Sequence, residues 1–437
     1  MAKKLRLSGG FEGPRFQCLR LRNVRCFRDT EIPLDPKVTL IIGANGAGKT
    51  TAVEALASLT YGEGEGLASF PLRRNARSGE IALLEAGEKR PKSRWSTHGQ
   101  RAARRRLPED RYLFAYGRYR RVFFQGDPEI GPTRWNPSLD LDELARSAGK
   151  RRTVTLDKPD NNLLRDLSRY LAALDFGRKS DPRLEEIWKR LEESLGTLGQ
   201  GITGIKMVER EYAYVPMVVR NGLPLELREL SDGYQALLVV IFDLLLRFAY
   251  LFATLPNPLD GEAFVAIDEV DLHLHPRWQR TVVAQLTRLF PNTQFVLTTH
   301  SPAVVQGAID LGMKVVRLRE ERDAVVARPL GTALMRKLRG AEIGSLLAEN
   351  WLFGVESRYS RKYSEVEERV DQLQSLIQKG KATDEELREL SGHLGTLQKL
   401  VAEDDERRAD GSTMSRLSGL QVAFLKDLSA RLKRVKS

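Results

Sequence analysis

Eight consecutive residues carry the clearest chemistry: Gly43, Ala44, Asn45, Gly46, Ala47, Gly48, Lys49 and Thr50 follow the pattern G-x-x-x-x-G-K-[ST]. The glycines let the backbone wrap with its N–H groups facing phosphates, the Lys49 ammonium reaches the β and γ phosphates, and the Thr50 hydroxyl can ligate Mg²⁺. Phe264 to Ile267 is an apolar run that ends in two acids, Asp268 and Glu269. At the end of a sheet strand, Asp268 can hold the Mg²⁺ shell and Glu269 can polarise the water that attacks a γ-phosphate. Taken alone, the run also reads as a strand capped by a solvated acidic turn; the phosphate loop is what favours chemistry.

Thr298-Thr299-His300-Ser301-Pro302 follows another apolar stretch, 294–297. There His300 can contact a γ-phosphate or the attacking water, or be a satisfied polar residue at a strand end. Its place one strand after the acid pair favours the first. Leu230-Ser231-Asp232-Gly233-Tyr234-Gln235 opens a long apolar helix, so Ser231, Gly233 and the helix N-terminus form an anion site. With loop and acids already around the nucleotide from one side, that site is expected to act on nucleotide held by a second subunit. His273 and His275, with Asp271 as a third donor, could start a zinc site, but no fourth ligand is evident and they equally fit a helix start.

These residues need elements to position them. The segment 16–42 reads as strands, the last being the fully apolar VTLII, and 50–59 reads as a helix, so the loop sits between strand and helix. From residue 227 the pattern gives a helix at 232–254, a strand at 263–267, a helix at 276–289, a strand at 294–297, a helix after Ser301 and strands near 314–328. Alternating strands and helices imply an α/β sheet with right-handed crossovers. The stretch 62–225 is less regular, with aromatic strands around 112–124 and helices at 161–175 and 182–195. Beyond 332 only helices are expected. Val366, Val370, Leu373 and Ile377 make one apolar face, Leu387, Leu390, Leu394, Leu397 and Val401 another, and a third helix covers 413–434. The expected domains are 1–61, the first lobe of a head with the phosphate loop; 62–225, a basic α+β insertion; 226–331, the second lobe; and 332–437, a helical hairpin or bundle.

The 437 residues are 41% hydrophobic and 29% charged, which excludes collagen, disorder and a disulfide scaffold. The net charge of +12 points to an anionic partner, nucleic acid before a membrane surface. Only Cys18 and Cys26 are present, so neither a disulfide framework nor a cysteine zinc site can be built, and a reducing cytoplasm is expected. The opening MAKKLRLSGG has no apolar stretch after it and does not read as a signal peptide. The apolar segment 236–255 imitates a membrane span, but Asp243 and Arg247 in its middle make it a core helix, and no membrane partner is expected.

The excess charge has an address. Residues 62–125 hold 15 Lys and Arg against 7 Asp and Glu, a net +8 of the chain's +12. Lys89, Arg90, Lys92, Arg94, Arg101, Arg104, Arg105 and Arg106, interleaved with Trp95 and His98, are the nucleic-acid candidates, since basic groups neutralise phosphates and aromatics stack on bases. The aromatics around 112–124 fit equally as core residues of a strand pair, and the arginines at 118–121 as groups facing ATP or a protein.

The four chemical elements in this order resemble ABC-class ATPases, and within them the SMC–RecF-like branch that includes the OLD-family ATPases. LRLRNVRCF is similar to that branch's first strands, and AIDEVDLHLHPRWQR with FPNTQFVLTTHSP resembles PtuA-like ATPases of Septu and retron-associated anti-phage defence. The resemblance covers roughly 16–60 and 227–310. LSDGYQ departs from the usual LSGGQ at Asp232 and the inserted Tyr234. The resemblance implies ATP and Mg²⁺ as cofactors, phosphate binding by the 43–50 loop with Thr51 on the α-phosphate side, Mg²⁺ support by Asp268, Glu269 as base and His300 as switch histidine. It implies Ser231 and Gly233 acting in trans, a homodimer or higher homo-oligomer joined by ATP, and Asp271 to His275 in the loop that crosses the dimer. Gln125 and Gln100 are the candidates for a Mg²⁺-sensing glutamine. The expected activity is ATP hydrolysis with no nuclease in this chain. A separate effector, an HNH-type nuclease, would cut, and DNA or another nucleic acid would be sensed or clamped. A RecF-like repair ATPase and an ATP-gated scaffold with little turnover are the alternatives.

Overall fold

The computed structural model describes residues 15–59, 71–85, 93–98, 101–105, 112–118, 120, 153–154, 163–197, 201–210, 213–226, 229–321 and 324–339. All fall in one compact unit, Met1–Val355. In chain order, β1 (Phe16–Val24), β2 (Phe27–Pro33) and β3 (Val38–Ile42) precede α1 (Lys49–Ser58). Next come β4 (Ser78–Glu85), β5 (Ser93–His98), β6 (Arg101–Arg105), β7 (Tyr112–Tyr116) and β8 (Thr153–Val154), then α2 (Leu163–Gly177) and α3 (Pro182–Thr197). β9 (Ile202–Arg210), β10 (Ala213–Arg220) and β11 (Leu223–Glu226) lead to α4 (Asp232–Leu251). The remainder is β12 (Ala263–Ile267), α5 (Pro276–Gln279), α6 (Val282–Leu289), β13 (Gln294–Thr298), α7 (Pro302–Asp310), β14 (Lys314–Glu321), β15 (Ala324–Pro329) and α8 (Thr332–Leu338). The helical faces expected in 366–434 lie outside the described residues, as do Gln100 and Gln125.

The fold is mixed α/β around a seven-stranded sheet in the order β15-β14-β3-β13-β12-β7-β8. All neighbours pair parallel except β14 with β15. Its middle strands VTLII, AFVAI and QFVLT are buried at every position, which is why they read as continuous apolar runs. Alternation sorts their side chains between two cores. Leu40, Phe114, Val265 and Leu297 face a core with α2, α3, α4, α6 and α7. Ile41, Leu113, Phe264 and Val296 face the other, with α1 and the antiparallel sheet β2-β1-β4-β5-β6. The stretch 62–225 therefore runs through both layers: β4 pairs with β1, and β7 lies between β12 and β8.

Helix α4 is apolar on all sides because it is enclosed on all sides. Among the described residues it is the one helix long and apolar enough to cross a membrane, and 89% of its window is buried in the protein. The two charges in its middle are paired there. Arg247 Nε and the Tyr116 hydroxyl both donate to Asp243 Oδ2 at 2.7 Å. One expected helix, 276–289, is instead two, broken at Arg280 and Thr281. The reason is tertiary: α7 presses its Gly307 so close to the Arg280 carbonyl that a Cβ there would lie 2.1 Å from the oxygen.

Candidate active site

The chemistry collects at the carboxyl ends of four neighbouring parallel strands, β3, β13, β12 and β7, where open α/β sheets place ligands. Leaving β3, the chain turns through Gly43, Ala44, Asn45, Gly46 and Ala47 to Gly48, which caps α1 at φ +94°. A Cβ at Gly48 would meet Cys26 Sγ and the Phe27 ring at 2.8 Å, so only glycine lets the loop lie on β1 and β2 at this point. Lys49 is buried, and its Nζ donates to the carbonyls of Gly43 at 2.8 Å and Ala44 at 2.9 Å. Burial pulls the Lys49 ammonium down to about 8, against the fields of Asp268, Glu269 and Asp271. Thr51 is buried one turn into the helix and its hydroxyl accepts from Arg25 Nη1 at 3.4 Å.

Thr50 faces the acids. Its hydroxyl donates to Asp268 Oδ2 at 2.8 Å, and the Thr298 hydroxyl donates to Asp268 Oδ1 at 2.6 Å. The Glu269 N–H in turn donates to Thr298 Oγ1 at 2.7 Å. Thr298 thus ties both acids to the end of β13. Sequence reasoning does not single it out; its one signal there is a hydroxyl closing the apolar run QFVLT. Glu269 is half-buried with φ +48°, a left-handed conformation rare for a residue with a side chain. Burial raises its carboxyl, helped by Asp268 and Asp271 and opposed by Arg118 and Arg120. His300 is half-buried just past β13; burial and the nearby Lys49 lower it, so the imidazole favours its neutral form.

These residues fit a nucleotide with Mg²⁺. A buried ammonium bound only by neutral carbonyls lacks an anion, and the touching Thr50 hydroxyl and Asp268 carboxylate are the hard oxygen donors Mg²⁺ takes.

Ser231 is the exposed N-cap of α4, and its hydroxyl makes no capping bond to the helix it starts. Gly233 is buried against the 271–275 loop: a Cβ there would lie 2.1 Å from the His273 carbonyl oxygen. Two elements set apart in the sequence, the signature turn and the dimer-loop candidate, are therefore in contact. The inserted Tyr234 packs edge-on to Trp278 with centroids 3.9 Å apart and under the Arg220 guanidinium at 5.1 Å. His275 caps α5, its Nδ1 accepting from the Arg277 N–H at 3.3 Å. Among the described residues no group of three or more His, Cys, Asp or Glu could hold a metal ion by itself.

The structure describes four of the eight basic candidates. Arg94, in β5, is exposed and paired to Glu80 at 2.6 Å. Arg101, Arg104 and Arg105 lie in β6, where Arg105 is the register partner of Arg94. Lys89, Arg90, Lys92 and Arg106 lie outside the described residues. Phe114 and Tyr116 are core residues of β7, and Arg120 is buried against Glu269. Of the readings open for this stretch, the strand-core one therefore holds at 112–116.

The chain is similar to the Retron Vc95 probable ATPase of Vibrio cholerae serotype O1 biovar El Tor, 38% identical over 128 residues, 29% of this chain and 25% of that protein. It is similar to the Retron Ec83 probable ATPase of Escherichia coli, 32% identical over 218 residues, 49% of this chain and 36% of that protein. The Septu protein PtuA of Bacillus mycoides (strain KBAB4) is 38% identical over 105 residues, 24% of this chain and 14% of that protein. The chain thus spans between 14% and 36% of the length of these curated relatives. A solved SMC head bound to the C-terminal winged-helix domain of ScpA aligns with 74% of this chain and 100% of its own, at 15% identity and a TM-score of 0.46. Residues 38–306, which run from β3 into α7 and take in the loop, the acids, His300 and the signature turn, match the family described as "AAA domain, putative AbiEii toxin, Type IV TA system", and the chain belongs to that family.

Proposed function

We propose that this chain is an ABC-class ATPase that binds and hydrolyses ATP, dimerises around the nucleotide and controls a separate effector of the nuclease class in anti-phage defence. The observation that carries the reading is the meeting of phosphate loop, Asp268 and Glu269 at the ends of β3, β13 and β12, tied by the Thr50 and Thr298 hydroxyls. The retron and Septu names of the relatives support the defence setting.

In this reading the loop N–H groups and the α1 N-terminus bind the phosphates, and Lys49 exchanges its two carbonyl partners for phosphate oxygens. Mg²⁺, held through Thr50 and Asp268, supplies charge neutralisation on the phosphate oxygens. Glu269 orients the attacking water and accepts its proton; a carboxyl raised by burial is better matched to that task near neutral pH. Neutral His300 hydrogen-bonds at the γ-phosphate side. Ser231 and Gly233 of a second subunit close the site, which would bring the 271–275 loop packed on Gly233 to the same interface. The head is formed by 1–61 and 226–331 together with the strands β4 and β7, residues 332–437 hold the effector, and the basic stretch takes nucleic acid.

Light scattering of Glu269→Gln tests this. With Mg²⁺ and ATP the variant should form a dimer that wild type loses on turnover, and the tagged chain should co-purify with a nuclease. A monomer at every nucleotide condition would overturn the dimer.

A further inference from the structure

One buried charge has no part in the scheme so far. Arg120, four residues past the end of β7, is 4% exposed, and its Nη2 donates to the backbone carbonyl of Glu269 at 2.5 Å. Its Nε–H is buried without a partner. Ala236, Leu237, Val240, Ile267 and Val270 line the same small cavity. Burying a guanidinium among apolar groups with a donor unmet costs free energy, and a half-exposed turn does not need that to satisfy one carbonyl. What the turn does contain is strain. Glu269 sits at φ +48°, and the two peptide groups around it are pinned separately: its N–H to Thr298 Oγ1, its carbonyl to the Leu272 N–H at 2.9 Å and, from past the end of β7, to Arg120. Such a conformation persists only where the surroundings over-determine it. Burial works against the charged guanidinium, and the fields of Asp268, Asp271 and Glu269 oppose that.

We infer that Arg120 is a positioning residue for ATP hydrolysis, which by holding the Glu269 carbonyl fixes the left-handed turn that aims the Glu269 carboxylate at the attacking water. This rests on the reading of Glu269 as the base. Arg120 acts through Glu269, so its contribution should vanish when the carboxylate is gone.

The test is a double-mutant cycle with Arg120→Gln and Glu269→Gln, followed as single-turnover ATP hydrolysis and steady-state kinetics on the full chain. Arg120→Gln should lower kcat roughly 10- to 100-fold with KM for ATP within about twofold, as expected for a misplaced reacting group. In the Glu269→Gln background it should change the residual rate less than about twofold. An equal factor in both backgrounds, or a raised KM with unchanged kcat, would overturn the positioning role. If Arg120→Gln does not fold, Arg120→Lys, which keeps the charge but loses the planar fork, carries the same cycle. A Glu269→Gln enzyme with the wild-type rate would instead sink the parent reading, so the two failures are distinct.

Discussion

The hydroxyl of Thr50 donates to Oδ2 of Asp268 at 2.8 Å, joining the phosphate loop to a residue 218 positions later in the chain. Thr298 holds the other oxygen of the same carboxylate, so both oxygens of Asp268 are oriented before any ligand arrives. Asp268→Asn keeps the shape and removes the charge. The Mg²⁺ concentration needed for half-maximal ATP hydrolysis should rise roughly 10- to 100-fold. Thr298→Val should give a smaller shift in the same direction, read from the rate as a function of Mg²⁺ concentration.

In the proposed function, Lys49 makes nucleotide binding a proton-linked event. Its pKa falls from 10.5 to about 8 on burial, so between those values the unfolded chain binds more protons than the folded one. Stability therefore rises with pH across that window, and the cost of burying the charged ammonium is fully present below about 8. A phosphate beside the ammonium restores the proton. ATP binding to Glu269→Gln at pH 8.5 should take up protons, seen by calorimetry in two buffers of different ionisation enthalpy, and at pH 6.5 the Lys49 contribution should disappear. Lys49→Met should abolish the uptake together with most of the binding.

The loop, the acid pair and the histidine are legible in the sequence because each is a short run whose chemistry depends on local spacing: glycines before a lysine, acids closing an apolar strand. The parallel sheet is legible for a related reason, since strands buried on both faces must be apolar throughout. Pairings across the fold are not. Nothing in YLFAYGRYR says that β7 pairs with the acid-bearing strand, so the sequence alone leaves Arg120 open between ATP and a protein surface. The break at Arg280 is set by Gly307, 27 residues away, and the inserted Tyr234 makes sense only once Trp278 and Arg220 are seen packed against it.

The charges inside α4 are a stability element. Arg247→Met leaves Asp243 buried without its cation, and should cost about 3–5 kcal/mol in urea unfolding. Tyr116→Phe removes one charge-assisted bond and should cost about 1.5–3 kcal/mol. Replacing Asp243 and Arg247 together by Leu and Met should be milder than Arg247→Met alone, because no uncompensated charge remains.

Gly233→Ala tests the signature turn. Its methyl would collide with the His273 carbonyl and push α4 off the 271–275 loop. Nucleotide binding by the monomer should persist while the ATP-dependent dimer of Glu269→Gln disappears, as seen by sedimentation.

For the basic stretch, reversing Arg104, Arg105 and Arg106 to Glu should weaken DNA binding and flatten its salt dependence by about 0.9 in log–log slope for each phosphate no longer neutralised. Arg94→Glu should matter less, because Glu80 already neutralises it. Identical binding of the triple variant across a salt series would remove nucleic acid from this stretch.

The most direct measurement is phosphate release from ATP by wild type and Glu269→Gln at matched nucleotide occupancy. Wild type should turn over, and Glu269→Gln should fall by roughly 10²- to 10⁴-fold with ATP affinity intact. A Glu269→Gln protein that hydrolyses ATP at the wild-type rate would contradict the assignment of this strand end as the catalytic centre.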